Sequence, residues 1–453
     1  MKQKYDVIIV GAGPSGIFAT LEIIKHAQDK LSVIIVEKGP DIDKRLKEKN
    51  FLSGWGGAGA FSDGKITLSP DVGGWLTDLL SWKEVEDLIN YVDSIWAELS
   101  PEASYYPFDE DAVAELESRA RRAHLRLIPY KIRHLGSDNT PKALIRAKNR
   151  IEKYAEILLE SGAERIIVEN GRARGIILEN GEEIHGKYVI VAPGRYGASW
   201  LMKEMHRLGI GLKINPVDIG VRVEINHEVM AELTEILYEP KFLYYSPTYD
   251  DVVRTFCVNP RGFVITERYE DVITTNGHSY ESKKSDNTNF ALLISSRFTE
   301  PFKDPISYGK HIARLANLLS GGSVLIQRLG DLKRGRRSTT ERLRKSIVEP
   351  TLKVAVPGDI SYVLPHRHLV GILEALKALD NIAPGIFSDH TLLYVTEVKF
   401  YSSRVDVTPE METKKVKNLF TIGDGAGISR GLAQASATGV IAARAILRRE
   451  KII

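Results

Sequence analysis

Residues 6–27 read DVIIVGAGPSGIFATLEIIKHA, and LSVIIVE follows at 31–37. Asp6–Val10 is a short run of β-branched apolar residues, the pattern of a parallel strand buried on both faces. From Pro14 the spacing becomes helical, with Ile17, Leu21 and Ile24 on one face as far as about Ala27. Leu31–Glu37 is a second buried strand. Strand, helix and strand make one βαβ unit. Between the first strand and the helix stands Gly11-Ala12-Gly13-Pro14-Ser15-Gly16, a G-x-G-x-x-G. Gly11 permits the tight turn, Gly13 lets the backbone approach a pyrophosphate, and Gly16 lets helix and strand pack closely. The helix start, with Pro14 and Ser15 in its first turn, offers unpaired N–H groups and a partial positive charge to an anion. Glu37 ends the second strand about twenty residues after the motif, followed by Lys38. A carboxylate there can accept both hydroxyls of an adenosine ribose and repels a 2′-phosphate.

The chain around this unit has 453 residues, about three domain lengths. Hydrophobic residues make 43% and charged residues 27%, a globular composition. A net charge of +3 does not suit whole-surface nucleic-acid binding. The single cysteine, Cys257, excludes an intrachain disulfide, a redox-active Cys-x-x-Cys pair and a Cys-ligated cluster within the chain. Redox chemistry must then ride on a bound cofactor. Met1-Lys2-Gln3-Lys4 is basic and precedes an apolar run, as in a signal peptide. Asp6 and the glycine turn interrupt that run, so the strand reading replaces it. No stretch reaches the length of a membrane helix, and a cytoplasmic protein is the expectation.

Ser53–Gly74 is rich in glycine, which suggests backbone laid against a ligand. Lys83–Leu99 and Asp109–His124 read as helices of an inserted helical segment. Thr140-Pro141 opens a helix expected to run to Ser161. Arg165–Glu169, Ala173–Glu179 and Glu182–His185 alternate with Asn-Gly turns and predict an antiparallel meander. Tyr188–Ala192 is a further buried strand, ending in Ala192-Pro193-Gly194. Residues 216–410 mix strands and helices, with a basic run from Arg328 to Lys345. Leu392–Val407 predicts one or two long strands. Leu419–Ile422 is the last buried strand, followed by Gly423-Asp424-Gly425. The closing helix, Gly431 to Arg449, is rich in small residues.

The first motif does not separate FAD from NAD. The strand ending at Ala192-Pro193-Gly194 and the late strand ending in Gly423-Asp424 do. Both are similar to strand ends of two-domain flavoproteins, and that resemblance implies that the Asp bonds a ribityl hydroxyl, which NAD lacks, and that the next helix aims its N-terminus at the flavin pyrimidine. On these motifs, with Ser53–Leu68, Phe256–Glu267, Asn276–Ser279 and Gly423–Gly431, the whole chain resembles the FAD-dependent dehydrogenases of glutathione-reductase-like FAD topology. Among them it is similar to a family of uncharacterised NAD(P)/FAD-dependent oxidoreductases. The resemblance implies non-covalent FAD and dehydrogenase or reductase chemistry, with no substrate assigned.

The expected fold is α/β, a discontinuous Rossmann-type FAD-binding domain with a mixed-sheet α+β substrate domain. Residues 1–75, 140–215 and 411–453 form the FAD domain, 76–139 the helical insertion and 216–410 the substrate domain. The expected cofactor contacts are Gly11, Gly13, Pro14, Ser15, Gly16, Glu37, Lys38, Gly56, Gly57, Ser62, Asp63, Gly64, Val168, Ala192, Gly194, Gly423, Asp424, Gly431, Leu432 and Ala433. Lys65, His278 and Arg404 are the catalytic candidates. Lys65 could stabilise anionic reduced flavin or bind a substrate anion, with a salt bridge to Asp63 as the plainer reading. Arg404 suits a carboxylate or phosphate clamp, on a strand face shared by Glu397, Lys399, Tyr401 and Ser403. His366 and His368 would share a face if on a strand, but lack a third ligand, so no metal is expected. Cys257 reads as a small core residue. No second G-x-G-x-x-G follows a strand, so electrons come from a small-molecule substrate, from transient NAD(P)H or from a redox partner. Two alternatives stand beside hydride transfer to an organic substrate. One is a prenyl-lipid C=C reductase. The other is an RNA-associated flavoprotein that uses 328–345.

Overall fold

A computed structural model describes residues 4–48, 53–280 and 283–453. They form two compact units, one of residues 1–105, 132–215 and 401–453, the other of 106–131 and 216–400.

The first unit is built on five parallel strands in the order Ala155–Leu158, Val33–Val36, Lys4–Val10, Glu183–Val191 and Leu419–Thr421. Register places Leu158, Val36, Val10, Val191 and Thr421 in one row, so the C-terminal ends of all five strands lie together. In open sheets of this kind that edge is where ligands bind. The strand residues are apolar because both faces are covered. Helix Pro14–Ala27 follows the first strand, and helix Leu432–Arg449 follows the last.

Those two helices meet through small residues. A Cβ on Gly439 would stand 2.1 Å from the carbonyl oxygen of Ser15 and 2.8 Å from the amide of Ala19. Further along, Arg444 Nε donates to the fully buried Glu22 at 2.7 Å, which satisfies a carboxylate otherwise expensive to bury.

Two expected boundaries move. The helix from Thr140 stops at Ile151, and Ala155–Leu158 joins the sheet beside Val33–Val36. Pairing with an exposed sheet edge overrides the helical propensity of that stretch. The third meander strand and Tyr188–Ala192 are one strand, Glu183–Val191. It pairs antiparallel with Arg172–Leu178 at its start and parallel with Lys4–Val10 along its length. Gly186 does not interrupt it, because Ile8 occupies the space beside its Cα.

The second unit has an eight-stranded sheet, antiparallel but for one short edge pair. Its central strands are Leu392–Lys399, Val217–Asn226, Asn287–Ser296 and Val252–Asn259. Helices Pro305–Leu319 and His366–Leu379 pack on this sheet. Residues 76–139 are not a helical insertion. They contain helices Trp82–Leu99 and Glu110–Arg122, but also strands Ser104–Tyr106, Leu125–Ile128 and Lys131–His134. Residues 106–131 belong to the second unit, where Leu125–Ile128 pairs with Lys241–Tyr245 and completes the sheet edge. The second unit ends at Phe400 rather than at residue 410. No helix among the described residues is long and apolar enough to cross a membrane.

Gly439→Val forces a branched side chain into the contact between the first and last helices. It is expected to destabilise the protein by about 3 kcal/mol, read as a lower midpoint in urea unfolding.

Candidate functional site

The strand ends carry the site. Gly11, at φ +103°, turns the chain beneath the end of strand Glu183–Val191, where a Cβ would lie 2.1 Å from the carbonyl oxygen of Ala192. Gly16 is equally closed, against the carbonyl oxygen of Gly11. Gly13 differs, because its Cβ position has nothing within 4 Å. Gly194 and Gly431 are open in the same way, whereas Gly423 and Gly425 are packed against Ser15 and Gly194. Both helices that start here are capped by glycine with no side-chain acceptor, Pro14–Ala27 by Gly13 and Leu432–Arg449 by Gly431. A glycine cap leaves first-turn N–H groups for a ligand.

The glycine-rich loop lies on this turn. Gly56 N–H donates to the carbonyl of Ala12 at 2.8 Å. A Cβ on Gly57 would meet Gly13, and one on Gly59 would meet Pro14 and Leu432. The Ser62 hydroxyl donates to the carbonyl of Gly59, and Gly64 packs against Leu135–Thr140. Ala192 is buried at the end of its strand, and its N–H donates to Val10 at 2.7 Å. Leu432 and Ala433, both buried, begin the closing helix. Two expected contacts point elsewhere. Lys38 pairs at the surface with Glu179 at 2.7 Å, and Val168 stands in the meander strand Ala163–Glu169, paired with Ala173.

Glu37 is buried and accepts three backbone N–H groups. Oε2 receives Ala12 at 2.8 Å, and Oε1 receives Gly39 and Gly54 at 2.9 Å each. A carboxylate has about four lone-pair positions, so one remains, not the pair that two ribose hydroxyls would use. Asp424 follows the last strand, where its Oδ1 accepts the Ser429 hydroxyl at 2.9 Å. Burial pushes its carboxyl up to about 6, while Arg195, Ser429 and the Gly431 amide act in the opposite direction.

One residue of this site carries no sequence signal. Arg45 is fully buried and donates to the carbonyls of Gly54, Trp55 and Gly57, which pins the glycine-rich loop. Burial lowers its guanidinium to about 10, opposed by nearby Glu37. In the sequence it lies among Lys44 and Lys47, as one more cation of a short polar helix.

The catalytic candidates each have a different partner. Lys65 is buried and its Nζ lies 3.3 Å from Asp63. Arg404 donates to Asp78 at 2.6 Å. His278 ends a hairpin strand of the second unit, opposite Phe263 and beside Tyr280. The expected strand face beyond Lys399 does not form, since that strand ends at Lys399. His366 and His368 lie on helix His366–Leu379, not on a strand. No group of three or more His, Cys, Asp or Glu among the described residues is arranged for a metal ion.

An open Gly13 at a helix start, an acid after the second strand and a second acid after the last strand fit a flavin dinucleotide. Residues 216–399 match the family model described as FAD-dependent protein, C-terminal domain-like. Residues 351–451 match the model for Glucose inhibited division protein A. A protein of Clostridium beijerinckii described as uncharacterized is 25% identical over 478 aligned positions, covering 98% of this chain and 81% of its own. Among solved structures, pyridoxine 4-oxidase from Mesorbium loti aligns at TM-score 0.44 and 13% identity, over 98% of this chain and 99% of that one. L-Proline dehydrogenase from P. horikoshii aligns at TM-score 0.43 and 12% identity, over 99% and 95%. The first unit has the parallel sheet of a Rossmann-type domain, and over residues 216–399 the chain is similar to a domain of FAD-dependent proteins.

The raised Asp424 carboxyl gives the cofactor-free protein a pH signature. Its folded value, about 6, lies above the ordinary 3.8, so the folded state holds more protons between those values. Its contribution to stability therefore falls as pH rises from about 4 to 6. Asp424→Asn is expected to remove that part of the slope, measured as unfolding midpoint against pH for both proteins.

Proposed function

We propose that the protein transfers a hydride between a small organic substrate and flavin N5, with FAD held non-covalently on the first unit. When bound, the flavin supplies the hydride acceptor or donor, and the protein supplies binding, orientation and charge. One observation carries the reading. Gly13, Gly194 and Gly431 are open where a Cβ would stand, while Gly11, Gly16, Gly423 and Gly425 beside them at the strand ends are packed solid.

In this reading Gly13 and the first turn of helix Pro14–Ala27 hold the diphosphate, under the loop that Arg45 and Glu37 fix. The remaining lone pair of Glu37 accepts one ribose hydroxyl. Asp424 accepts a ribityl hydroxyl. The start of helix Leu432–Arg449 offers its dipole to negative charge on the reduced ring. An anionic substrate group would have to compete with Asp63 for Lys65 or with Asp78 for Arg404. His278 remains the proposed proton carrier of the second unit. With one cysteine, electrons arrive without an internal dithiol, from the organic substrate, NAD(P)H or a redox partner.

Anaerobic addition of organic donors and of NAD(P)H to the purified protein tests the reaction. Bleaching of the flavin band by at least one donor is expected, and no bleaching by any would sink the proposal. A second test separates cofactor binding from folding. Gly13→Ala has room in the fold and an extended backbone at φ −78° and ψ 179°. It is expected to leave stability within about 0.5 kcal/mol of wild type. The same methyl group is expected to cut FAD affinity at least tenfold by equilibrium fluorescence titration.

A further inference from the structure

Arg195 stands where helix electrostatics disfavour it. It lies two residues before Gly197, the glycine cap of helix Ala198–Leu208. A cation there meets the positive end of the helix dipole, which favours acids. The first turn of that helix holds no acid to offset it. The turn that carries Arg195 is closed. Gly197 N–H donates to the carbonyl of Pro193 at 3.1 Å, and Ala198 N–H to the carbonyl of Arg195 at 3.3 Å. The side chain is exposed and makes no ion pair among the described residues.

The end of the last strand accounts for this placement. Gly194 and Gly425 are packed backbone to backbone. A Cβ on Gly425 would lie 2.4 Å from the carbonyl oxygen of Gly194 and 3.0 Å from its amide nitrogen. Arg195 follows one of these glycines and Asp424 precedes the other. Burial opposes the Asp424 carboxylate, and among charged side chains Arg195 does most to support it. The Ser429 hydroxyl and the Gly431 amide give further, neutral support.

Charged side chains on the adjoining elements are engaged elsewhere. Arg430 stacks on the Tyr401 ring, Arg404 pairs with Asp78, and Lys65 with Asp63. Helix Leu432–Arg449 carries its first charge at Arg444, paired with Glu22. Helix Ala198–Leu208 carries its first at Lys203, more than a turn from its start, and then Glu204, paired with Arg207. Helix Pro14–Ala27 brings only the Ser15 hydroxyl, beside Gly423.

We propose that Arg195 is a positioning residue, which holds Asp424 as a carboxylate ready to accept a ribityl hydroxyl of the cofactor. A charged acceptor bonds a hydroxyl more strongly than a neutral carboxyl does. The inference rests on the flavin reading above and adds the residue on which Asp424 depends.

Equilibrium binding of FAD to the flavin-free full chain at pH 6 and pH 8 tests it. Affinity falls with pH as the carboxyl takes up its proton. With a folded value of about 6 for Asp424, wild type is expected to bind about twofold more weakly at pH 6. Loss of a neighbouring cation moves a carboxyl upward, so R195Q is expected to lose about tenfold over the same interval. R195K is expected to restore the wild-type profile. D424N is expected to flatten it, and R195Q/D424N to match D424N. Unchanged unfolding midpoints at pH 8 exclude misfolding as the cause. A wild-type profile in R195Q overturns the proposal. So does an equal loss at both pH values, which would make Arg195 a direct ligand of the cofactor phosphates. Wild type that binds no FAD overturns the flavin reading itself. FAD binding that D424N leaves unchanged overturns this inference alone.

Discussion

The Glu37 carboxylate ties together three pieces of backbone. It takes the N–H of Ala12 in the glycine turn, of Gly39 after the second strand and of Gly54 at the head of the glycine-rich loop. Charge-assisted bonds to backbone amides are stronger than neutral ones, and none can be lost here without leaving a buried donor bare. Arg45 completes the knot from the other side by holding the carbonyl of Gly54 along with those of Trp55 and Gly57. The loop is thus gripped by its N–H groups and by its carbonyls. Gly57 is thereby set against Gly13, and the open face of Gly13 is defined.

Closure of the first unit depends on the far end of the chain. Leu419–Thr421 pairs with Glu183–Val191, and the helix after it lies against helix Pro14–Ala27 at the distance that Gly439 permits. Asp424 and the Gly431 helix start are therefore presented on the same strand-end edge as Gly13. A domain drawn from three chain segments gains a ligand edge whose elements are fixed by sheet register as well as by loop contacts.

Much of this was legible because parallel strands buried on both faces leave an unmistakable apolar signature, and because phosphate turns need glycine at set spacings. The first βαβ unit, the Gly-Asp after the last strand and the small-residue helix were read from such patterns. What escaped the reading depends on partners distant in sequence. Ala155–Leu158 has helical residues and becomes a strand only because Val33–Val36 offers an edge. His366 and His368 share a face on a strand, yet they lie on a helix that packs on the second sheet. Leu125–Ile128 reads as the tail of a helical insertion until Lys241–Tyr245 is there to pair with it. Arg45 is one cation among several until the loop folds over it.

The second unit illustrates the same limit in its most polar feature. Arg222 and Glu397 are both fully buried on neighbouring central strands and bond through two contacts, at 3.1 and 2.7 Å. Arg222 also reaches the carbonyl of Cys257 at 2.8 Å and the side chain of Asn276 at 3.3 Å. Lys399 lies 2.8 Å from Glu397. Burial raises the Glu397 carboxyl, but Arg222 and Lys399 outweigh it and hold the group below its ordinary range. A buried pair of this kind rarely stabilises more than apolar residues of the same size would. Its effect is on alignment. A one-residue slip of either strand would turn one charge to the opposite face and leave the other unpaired in the sheet. The pair thus penalises every register but one, and around it the stretches 256–267 and 276–279 are brought together.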